Sequence, residues 1–544
     1  MVEEHRDTAL RLLTDGAPGR HDLFIGLVAP IGSSRDQVLS ELEAQLTQYG
    51  YGMERVRLAD LLDDVPRESG NPLPRRGEPH YYKMRMDAGD ELRRKTGEDS
   101  AVAALAIVRV ARMRETVGGQ ADEDTDVQPI VYVFDSLKHP REARLLRNVY
   151  GAGFWLLSIV QDADECEQNL AEDQASQQGT FSSPQNDPEL AELMRRDKGD
   201  PDDKSGQQVR DVFAAADYFL PVRVGLNWTD HLERFLDGVF DAPFLTPLQH
   251  EDAMRHAKAA ALRSAALSRQ VGAVLLPAGG DPYLVGTNEV PKPGGGQYRE
   301  GDSPDYRDFQ TGRDPNPTYV TRLLSEVFEK LAAAEYFSDE RNEAGGAAVL
   351  KEALAKRDGQ PPVLHNIRAT SLIEFNRCLH AEQAAIVSAA RTGVAVDGST
   401  LYTTTFPCHE CTKIIVGAGV IEVQYIEPYP KSMASELYRH FIDAVPPLQA
   451  AADPERVPFR PFLGFGPGRY DEVFEAGRRR DGNRTAERNK LLASPIGRGW
   501  SEVAVKDKED EVVVAFAVAS GQPSPAREQS QVETKGDSKT EDVS

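Results

Sequence analysis

Two short segments constrain this chain more than any others, because their polar residues have a use only if folding brings them together. The first, CLHAEQAAI (Cys378–Ile386), sets His380 and Glu382 two positions apart among small and aliphatic residues. The second, TTTFPCHECTKIIVGAGV (403–420), carries two of the chain's four cysteines, three positions apart. A histidine and a cysteine pair in such surroundings indicate a metal site built from reduced thiols.

The spacing of the two cysteines predicts that both are metal ligands. Residues three apart on a helix share a face, so Cys408 and Cys411 point their sulfurs the same way. Pro407 is suited to the first turn of that helix. With His380 from a second helix they form a three-ligand zinc site, the arrangement that leaves a fourth position open in catalytic zinc centres. Glu382 is then close enough to take a proton from water and pass it on.

Either motif alone has a more ordinary explanation. A single Cys-x-x-Cys is often a redox or structural-zinc motif, and a single histidine in an apolar helix is usually a hydrogen-bonded core residue. The two motifs together, with predicted strands between them, favour the catalytic interpretation. Cys378 and His409 lie nearby but match no ligand position, so we expect neither to bind the metal.

The paired motifs resemble the signature of zinc-dependent deaminases, His-x-Glu followed by Pro-Cys-x-x-Cys. Here the signature reads HAE (380–382) and PCHEC (407–411). The flanking segments follow the order of the cytidine/deoxycytidylate deaminase fold: a helix, the hairpin VGAVLLP…YLVGTN, the His–Glu helix, the strand STLYTTTFP, the Cys–Cys helix and the strand VQYIEPY. The resemblance implies a C-terminal α/β/α domain with a mixed sheet, and Zn²⁺ as its cofactor.

The reaction that this resemblance implies is the hydrolytic deamination of cytosine. Water adds to the amine-bearing ring carbon, Glu382 shuttles the protons, and ammonia leaves. The segment GTNEVPK (286–292) resembles the Gly-x-Asn-x-x-Pro turn of deoxycytidylate deaminases, which implies that Asn288 hydrogen-bonds the sugar. The alternative is an ordinary turn at the end of a hairpin, where asparagine is common.

The first part of the chain has the pattern of a separate α/β domain. Buried-strand patterns occur at DLFIGLV (22–28), PIVYVFD (129–135) and FWLLSIV (154–160), with helical or polar segments between them. A strand, a turn and an amphipathic helix open the series. This alternation predicts an α/β fold class for the N-terminal domain, as it does for the chain as a whole.

The turn after the first strand, within FIGLVAPIGSSRDQV, resembles the phosphate loop of nucleotide kinases in degenerate form. Ala29, Ser34, Arg35 and Asp36 stand where a working loop has glycine, glycine, lysine and a hydroxyl residue. Arg35 and the helix N-terminus can still attract phosphate, whereas Asp36 repels it. Phosphoryl transfer is therefore not expected, although a working kinase and a purely structural remnant are the alternatives.

The degenerate loop leads to a prediction for the N-terminal domain. We expect Gly32, Ser33, Ser34 and Arg35 to contact a regulatory nucleotide, together with Asp135 at the end of the second predicted strand. In kinase-like folds an acidic residue at that strand end helps to hold the metal ion that accompanies the phosphates.

Roughly Leu23 to Glu475 resembles the anti-phage dCTP deaminases of bacteria, in which a P-loop kinase-like domain precedes a deoxycytidylate-deaminase-like domain. The resemblance implies dCTP and dCMP as substrates, depletion of the dCTP pool that a phage needs, and a phage-derived trigger. A homo-oligomer is also expected. These expectations come from the family and not from the spacing of the motifs.

The length and composition set the expected domains. A chain of 544 residues is too long for one ordinary core. We expect a P-loop kinase-like domain at 20–241 and a deaminase domain at 248–475. A charged C-terminal region at 476–544 follows, and its last stretch has the polar, aromatic-free composition of disorder.

Charge and hydropathy limit the classes of molecule that the protein is expected to bind. The formal charge is −24, from 63 basic and 87 acidic residues, so a polyanion would be repelled unless a local basic groove exists. A deaminase that edits tRNA or single-stranded DNA needs such a groove, and it is therefore the alternative to an enzyme acting on free nucleotides. The sequence contains neither an apolar run long enough to span a membrane nor a signal-peptide pattern, and predicts a cytoplasmic protein.

Overall fold

The computed structural model describes residues 20–67, 70–118, 128–178, 187–199, 205–223, 225–356, 361–365, 367–429, 432–444, 455–475, 479–481, 484–496 and 500–521. The fold is mixed α/β with two mixed six-stranded sheets. It divides into two compact units, one formed by 1–251 with 462–544 and the other by 252–461. No helix in these ranges is both long and apolar enough to cross a membrane.

The N-terminal part of the first unit alternates strands and helices. Its elements are β1 (Leu23–Val28), α1 (Arg35–Gln48), β2 (Gly52–Arg57), α2 (Leu58–Leu61), α3 (Tyr81–Thr96), α4 (Ala101–Gly118), β3 (Ile130–Asp135), α5 (Pro140–Tyr150), β4 (Phe154–Val160), α6 (Ala163–Gln178), α7 (Pro188–Lys198), α8 (Val209–Phe213), β5 (Tyr218–Pro221) and α9 (Trp228–Val239).

The second unit begins within a helix that crosses the division and contains most of the remaining elements. These are α10 (Gln249–Ala261), β6 (Gly272–Leu276), β7 (Leu284–Thr287), α11 (Asp308–Thr311), α12 (Pro315–Ala333), α13 (Asp339–Ala344), α14 (Gly346–Leu354), α15 (Ala381–Thr392), β8 (Thr400–Thr405), α16 (His409–Gly417), β9 (Glu422–Glu427), α17 (Ala434–Leu437), β10 (Ile442–Asp443) and β11 (Val457–Pro461).

The chain then returns to the first unit. Its last elements are β12 (Gly464–Phe465), α18 (Tyr470–Phe474), the short hairpin β13 (Arg480–Asp481) and β14 (Arg484–Thr485), and α19 (Glu502–Ser520).

The first sheet has the order β12-β5-β4-β1-β3-β2. Its strands β1 to β5 run parallel, and β12 pairs antiparallel with β5. The three predicted strands are all present, and every residue of β1 and β4 is buried. Continuous apolar runs of this kind are typical of parallel strands that are covered by helices on both faces.

The structure differs from the predicted boundary at residue 475. Phe465 of β12 packs edge-on against Tyr218 with ring centroids 4.7 Å apart, and its backbone N–H donates to the buried Glu251 carboxylate at 2.9 Å. The segment 462–475 therefore lies with the first unit. A two-residue strand has too little periodicity to reveal such a distant pairing in the sequence.

The predicted C-terminal region also contributes to the first unit. Arg114 of α4 forms an ion pair with the buried Glu509 of α19 at 2.8 Å, and Trp500 stacks on His21 with ring centroids 4.3 Å apart. The described part of 476–544 is thus packed rather than separate. The predicted disordered stretch, 522–544, lies outside the described residues.

The second sheet has the order β10-β11-β9-β8-β6-β7. Strand β6 pairs antiparallel with both β7 and β8, whereas β8, β9, β11 and β10 pair parallel in that order. Helix α15 lies directly on this hairpin. An added Cβ on Gly286 of β7 would come within 2.0 Å of the Ala381 carbonyl oxygen. Only glycine permits this approach, which fixes the start of α15, and with it His380 and Glu382, against the sheet.

Candidate active site

Two helix starts bring the predicted metal ligands together. His380 occupies the position before α15, where its backbone N–H donates to the Gln383 side chain at 3.2 Å. Cys408 is the N-cap of α16, and Cys411 lies in the first turn of that helix. Pro407 therefore precedes the N-cap and lies outside the first turn, where the sequence analysis had placed it. Helix α16 directly follows β8, whereas α11 to α14 separate β7 from α15 in the chain.

The three ligand atoms form a compact group, in which both cysteines are buried and His380 is half-buried. His380 Nδ1 lies 3.2 Å from Cys408 Sγ and 3.3 Å from Cys411 Sγ. The two sulfurs are 3.6 Å apart, and neither cysteine is in a disulfide. Among the described residues, this is the one group of three histidine, cysteine or acidic side chains whose ligand atoms all lie within 4.8 Å of one another.

The chemistry of the donors fits a zinc ion. One imidazole and two thiols make up a common ligand set for zinc in catalytic sites. All three side chains lie at helix starts that pack on the apolar core of the unit. Burying a charge without a partner there costs free energy. A divalent cation held by these atoms would supply that partner.

The ionisation of the group is shaped by its own members. Hydrogen bonds with Cys411 and then His380 lower the pKa of the Cys408 thiol to about 4. Burial raises the pKa of Cys411 well above its usual value. Burial also acts to lower the pKa of His380, but the hydrogen bond and negative charge of Cys408 outweigh it and leave the pKa raised. Of the two thiols, Cys408 loses its proton the more readily, and a metal ion bound by these atoms would displace protons from its ligands.

Glu382 lies beside the ligand group and is buried, with 4% of its surface exposed. Its Oε2 is 3.3 Å from Cys411 Sγ, and its Oε1 is 3.3 Å from the Thr403 hydroxyl. Burial, followed by the charge of Cys408, raises the pKa of the Glu382 carboxyl. A carboxyl group with a raised pKa is suited to accept and return a proton.

A cavity of about 250 Å³ opens onto the ligand group. Its wall includes His380, Glu382 and Cys408 and, from other segments of the unit, Arg269, Asn288 and Tyr429. Such a volume is near the lower end of the range for small-molecule sites, and the mixture of apolar wall and a few convergent polar groups is characteristic of them.

Asn288 is on the cavity wall, but much of its side chain is already used by the fold. Its amide oxygen accepts from the Val271 N–H at 2.7 Å, and its amide nitrogen donates to the Arg269 carbonyl at 2.6 Å. A primary amide can form about four hydrogen bonds, so one donor and one acceptor position remain. The predicted contact with a sugar can use only those.

Cys378 and His409 are the two nearby residues that the sequence analysis did not assign as ligands. Cys378 is buried with its sulfur 3.8 Å from an Asp308 carboxylate oxygen, and burial raises the pKa of its thiol to about 12. His409 lies at the start of α16 with its Nε2 4.0 Å from Glu410. Neither is in the compact group of three ligands.

Sequence reasoning missed two residues that contact the site. Thr403 lies on β8 with no exposed surface and reaches Glu382, while Arg269 lies on the cavity wall with its guanidinium 5.6 Å from the Tyr429 ring centroid. The first belongs to the TTT run just before Pro407, whose inward position follows from strand alternation. No local pattern marks Arg269.

The residues predicted to bind nucleotide are gathered in the first unit. Gly32, Ser33, Arg35 and Asp135 line a second cavity, at the ends of β1 and β3. Arg35 forms an ion pair with Asp135 at 3.2 Å. Ser34 is held instead by Gln161, whose amide oxygen accepts from its N–H at 2.8 Å.

Comparison with known proteins agrees with the geometry of the second unit. Residues 247–427 match the family model for the cytidine and deoxycytidylate deaminase zinc-binding region. This part of the chain is therefore similar to the zinc-binding region of cytidine and deoxycytidylate deaminases, and deoxycytidylate deaminases are among its relatives. The matched region contains both motifs and all three ligands of the metal group.

Individual relatives match over a short segment. The deoxycytidylate deaminase of Enterobacteria phage T2 is 43% identical over 54 residues, covering 10% of this chain and 29% of the relative. ComE operon protein 2 of Bacillus subtilis is 43% identical over 53 residues, covering 10% and 28%. The chain thus spans less than a third of the length of these curated relatives.

A solved structure of a dCMP deaminase from the cyanophage S-TIM5 is 17% identical to this chain, with a TM-score of 0.21. The alignment covers 40% of this chain and all of the cyanophage chain.

The contact between Thr403 and Glu382 leads to a prediction for Thr403→Val, which removes a hydroxyl and keeps the shape. The single hydroxyl proton can go to Glu382 or to the Thr405 carbonyl at 3.2 Å, and an ionised carboxylate is the stronger acceptor. A hydrogen bond to a charged group contributes roughly 1.5–3 kcal/mol. The kcat of the deamination that the sequence predicts should therefore fall by about tenfold or more. KM and zinc content should not change.

Thr403→Ser is the matched control, because it restores the hydroxyl without the methyl group. Steady-state kinetics should place its kcat near that of the wild type. If valine proves harmless, or if serine fails to recover kcat, Thr403 does not position Glu382 and serves packing alone.

Proposed function

We propose that the protein is a zinc-dependent enzyme that deaminates deoxycytidine nucleotides, dCMP and dCTP, to the corresponding deoxyuridine nucleotides. One observation supports this most strongly: His380, Cys408 and Cys411 converge within 4.8 Å at the mouth of a cavity, with Glu382 in contact. The match of this region to a deaminase family and the names of the relatives favour cytosine as the base.

Each residue has a separate task in this proposal. His380, Cys408 and Cys411 would hold a zinc ion, and the ion would supply an electrophile that makes water more acidic at neutral pH. Glu382 takes the proton from that water, delivers it to the ring nitrogen next to the reacting carbon, and assists the departure of ammonia. Thr403 keeps the Glu382 carboxylate facing the cavity.

Binding of the nucleotide is assigned to the outer wall of the cavity. Asn288 has one amide hydrogen left for the sugar, in line with the resemblance of its turn. Arg269 is the one lysine or arginine among the described residues of the wall, and 55% of its side chain is exposed. We assign it to the substrate phosphate.

The phosphate assignment predicts that Arg269→Ala raises the KM for dCMP by roughly tenfold while changing kcat little, since one charged hydrogen bond is lost in ground and transition states alike. Deoxycytidine, which has no phosphate, serves as the matched control substrate. Its kinetics should be the same in variant and wild type. An equal loss with both substrates would mean that Arg269 acts on the fold of the cavity and not on phosphate.

The alternative of a nucleic-acid-editing deaminase has less support. The chain carries a charge of −24, and the described cavity wall offers one arginine beside Asp308, Asp314 and Glu382. A strand of nucleic acid needs a basic groove with stacking aromatics along several nucleotides.

We propose that this activity serves defence against phage by lowering the dCTP pool. The family resemblance is the support for this role, and a phage-derived trigger and a homo-oligomer belong to the same proposal. Nucleotide extracts from infected cells should show less dCTP and more deoxyuridine nucleotides when the wild type is expressed than when a Glu382→Gln variant is. If cells with the wild type and cells with the variant had equal nucleotide pools and equal phage yields, the activity would not serve defence.

A further inference from the structure

The wall of the cavity in the second unit contains an aspartate that has no task in the proposed reaction. Asp308 begins helix α11, lines the cavity and has 5% of its surface exposed. It belongs neither to the two metal-binding motifs nor to the turn that contains Asn288. Burying a carboxylate costs free energy unless it has partners, so the contacts of Asp308 indicate what it can bind.

The contacts of Asp308 with the protein leave part of its acceptor capacity unused. Its Oδ1 forms an ion pair with Arg377 Nη1 at 3.0 Å, and the Cys378 sulfur lies 3.8 Å from its Oδ2. Arg377 is fixed in turn, because its Nη2 donates to the Tyr306 carbonyl at 2.8 Å. An ionised carboxylate can accept about four hydrogen bonds. Within the described part of the chain, Asp308 therefore keeps acceptor positions for a ligand.

The neighbours of Asp308 place it beside the turn that follows β7. Its contact residue Cys378 is followed by Leu379, which exchanges two backbone hydrogen bonds with Glu289, at 3.1 and 3.2 Å. Glu289 directly follows Asn288, the residue that is assigned to the sugar. Asp308 and Asn288 line the same cavity. The carboxylate is therefore close to the part of the wall where the sugar is expected.

The chemistry of the substrate limits what an acceptor at this place can bind. A deoxycytidine nucleotide offers hydrogen-bond donors at its 4-amino group and at its 3′-hydroxyl. In the proposed reaction the amine departs beside Glu382, and a phosphate is repelled by a carboxylate. The 3′-hydroxyl is therefore the group of the substrate that fits Asp308.

Asn288 and Asp308 are complementary toward this hydroxyl. A hydroxyl has one donor and two acceptor positions. The remaining amide hydrogen of Asn288 can donate to the 3′-oxygen, while Asp308 can accept the hydroxyl proton. Hydrogen bonds to an ionised acceptor are about twice as strong as those between neutral groups, so Asp308 contributes the larger share.

We propose that Asp308 is a specificity-determining residue that accepts a hydrogen bond from the 3′-hydroxyl of the nucleotide. This role rests on the substrate class of the proposed function. Within a nucleic-acid strand the 3′-oxygen carries a phosphate, which has no proton to donate and is repelled by the carboxylate. Asp308 thus selects free nucleotides both by attraction and by repulsion.

The first test compares dCMP with 2′,3′-dideoxycytidine 5′-monophosphate, which lacks only the 3′-hydroxyl. The wild type should favour dCMP in kcat/KM by about tenfold or more. In Asp308→Ala the two substrates should differ by less than about threefold, because activity on dCMP falls and activity on the dideoxy nucleotide is kept. An unchanged preference, or an equal loss with both substrates, would overturn the proposal.

Asp308→Asn separates the charge from the shape of the side chain. Its kcat/KM for dCMP should fall by about fivefold, whereas that for deoxycytidine 3′,5′-bisphosphate should rise by a similar factor, since the repulsion of the 3′-phosphate is removed. Shifts in opposite directions cannot both come from misfolding. Shifts in the same direction would contradict the role of the carboxylate.

Asp314→Asn is the matched control on the same wall. The Asp314 carboxylate is the N-cap of α12 and accepts the Asn316 N–H at 2.9 Å, a task that asparagine performs equally well. The preference of this variant for dCMP over the dideoxy nucleotide should equal that of the wild type. If the preference is lost there too, the effect is not specific to Asp308 and the proposal fails.

Calorimetric titration with dUMP and its 2′,3′-dideoxy analogue keeps the inference separate from the reaction, because neither ligand has an amine to remove. The wild type should bind dUMP about tenfold more tightly than the analogue, and Asp308→Ala should not discriminate. If the zinc-loaded wild type shows this preference but deaminates no cytosine nucleotide, the proposed function fails and the role of Asp308 stands. Equal affinities in the wild type would overturn that role even where deamination is observed.

Discussion

Glu382→Gln should retain zinc and the fold but lose deamination by about 10²–10⁴-fold, the usual contribution of general acid–base catalysis. The amide has the shape of the carboxyl group but cannot carry a proton between water, ring and leaving amine. Glu382→Ala should be as inactive. The measurement is kcat with dCMP, alongside zinc analysis of the same preparation.

The half-buried Glu410 supplies a matched control, because it lies between the two cysteines but pairs with Lys413 and not with Glu382. Glu410→Gln should keep its activity within about threefold of the wild type, as surface ion pairs contribute little. Activity of Glu382→Gln within two- or threefold of the wild type would refute the role of Glu382.

Cys408→Ser and Cys411→Ala should each lose zinc together with activity, since in the proposed site the thiolates bind the metal directly. The loss of activity should be at least as large as for Glu382→Gln, because both water activation and the geometry of the site depend on the ion. Elemental analysis after dialysis against buffer without metal is the direct measurement.

The other two cysteines provide the comparison. Cys166→Ser and Cys378→Ser should keep zinc, since both thiols lie outside the compact ligand group and burial raises the pKa of each to about 12. Full zinc in Cys408→Ser would mean that the metal binds elsewhere. Loss of zinc in Cys378→Ser would make that residue a ligand.

The metal group could be predicted from the sequence because its geometry is local. The spacing of Cys408 and Cys411 and that of His380 and Glu382 are fixed by single helix starts, so only the meeting of two segments had to be inferred. Strands with continuous apolar runs, such as Phe154–Val160, were predicted for the same reason, since their signal lies within a few residues.

Features that depend on distant pairing could not be predicted in this way. Strand β2 (Gly52–Arg57) has one buried residue, Val56, and its sequence is typical of a polar helix or loop. Strand β12 returns to β5 from more than 240 residues away. Thr403 and Arg269 reach the site only through the arrangement of the sheet and the adjoining loops, and a sequence pattern does not report such contacts.

The loop after β1 shows that a recognised motif does not reveal which partners its residues have in the fold. Its sequence was interpreted as a weakened phosphate site, with Arg35 and the helix N-terminus as the remaining attraction. The structure gives the loop donors other partners, Asp197 and Gln161, and places several arginines together on Asp135. Those partners come from segments that no motif connects, so the contacts of the loop follow from the fold and not from the pattern of the loop.

The central claim is that the zinc group deaminates free deoxycytidine nucleotides. Its most direct test is chromatography of the products after zinc-loaded protein is incubated separately with dCMP, dCTP and a cytosine-containing oligonucleotide. We expect dUMP and dUTP with release of ammonia, no uracil in the oligonucleotide, and no product from Glu382→Gln. Uracil in the oligonucleotide alone, or unchanged nucleotides with a fully zinc-loaded protein, would contradict the claim.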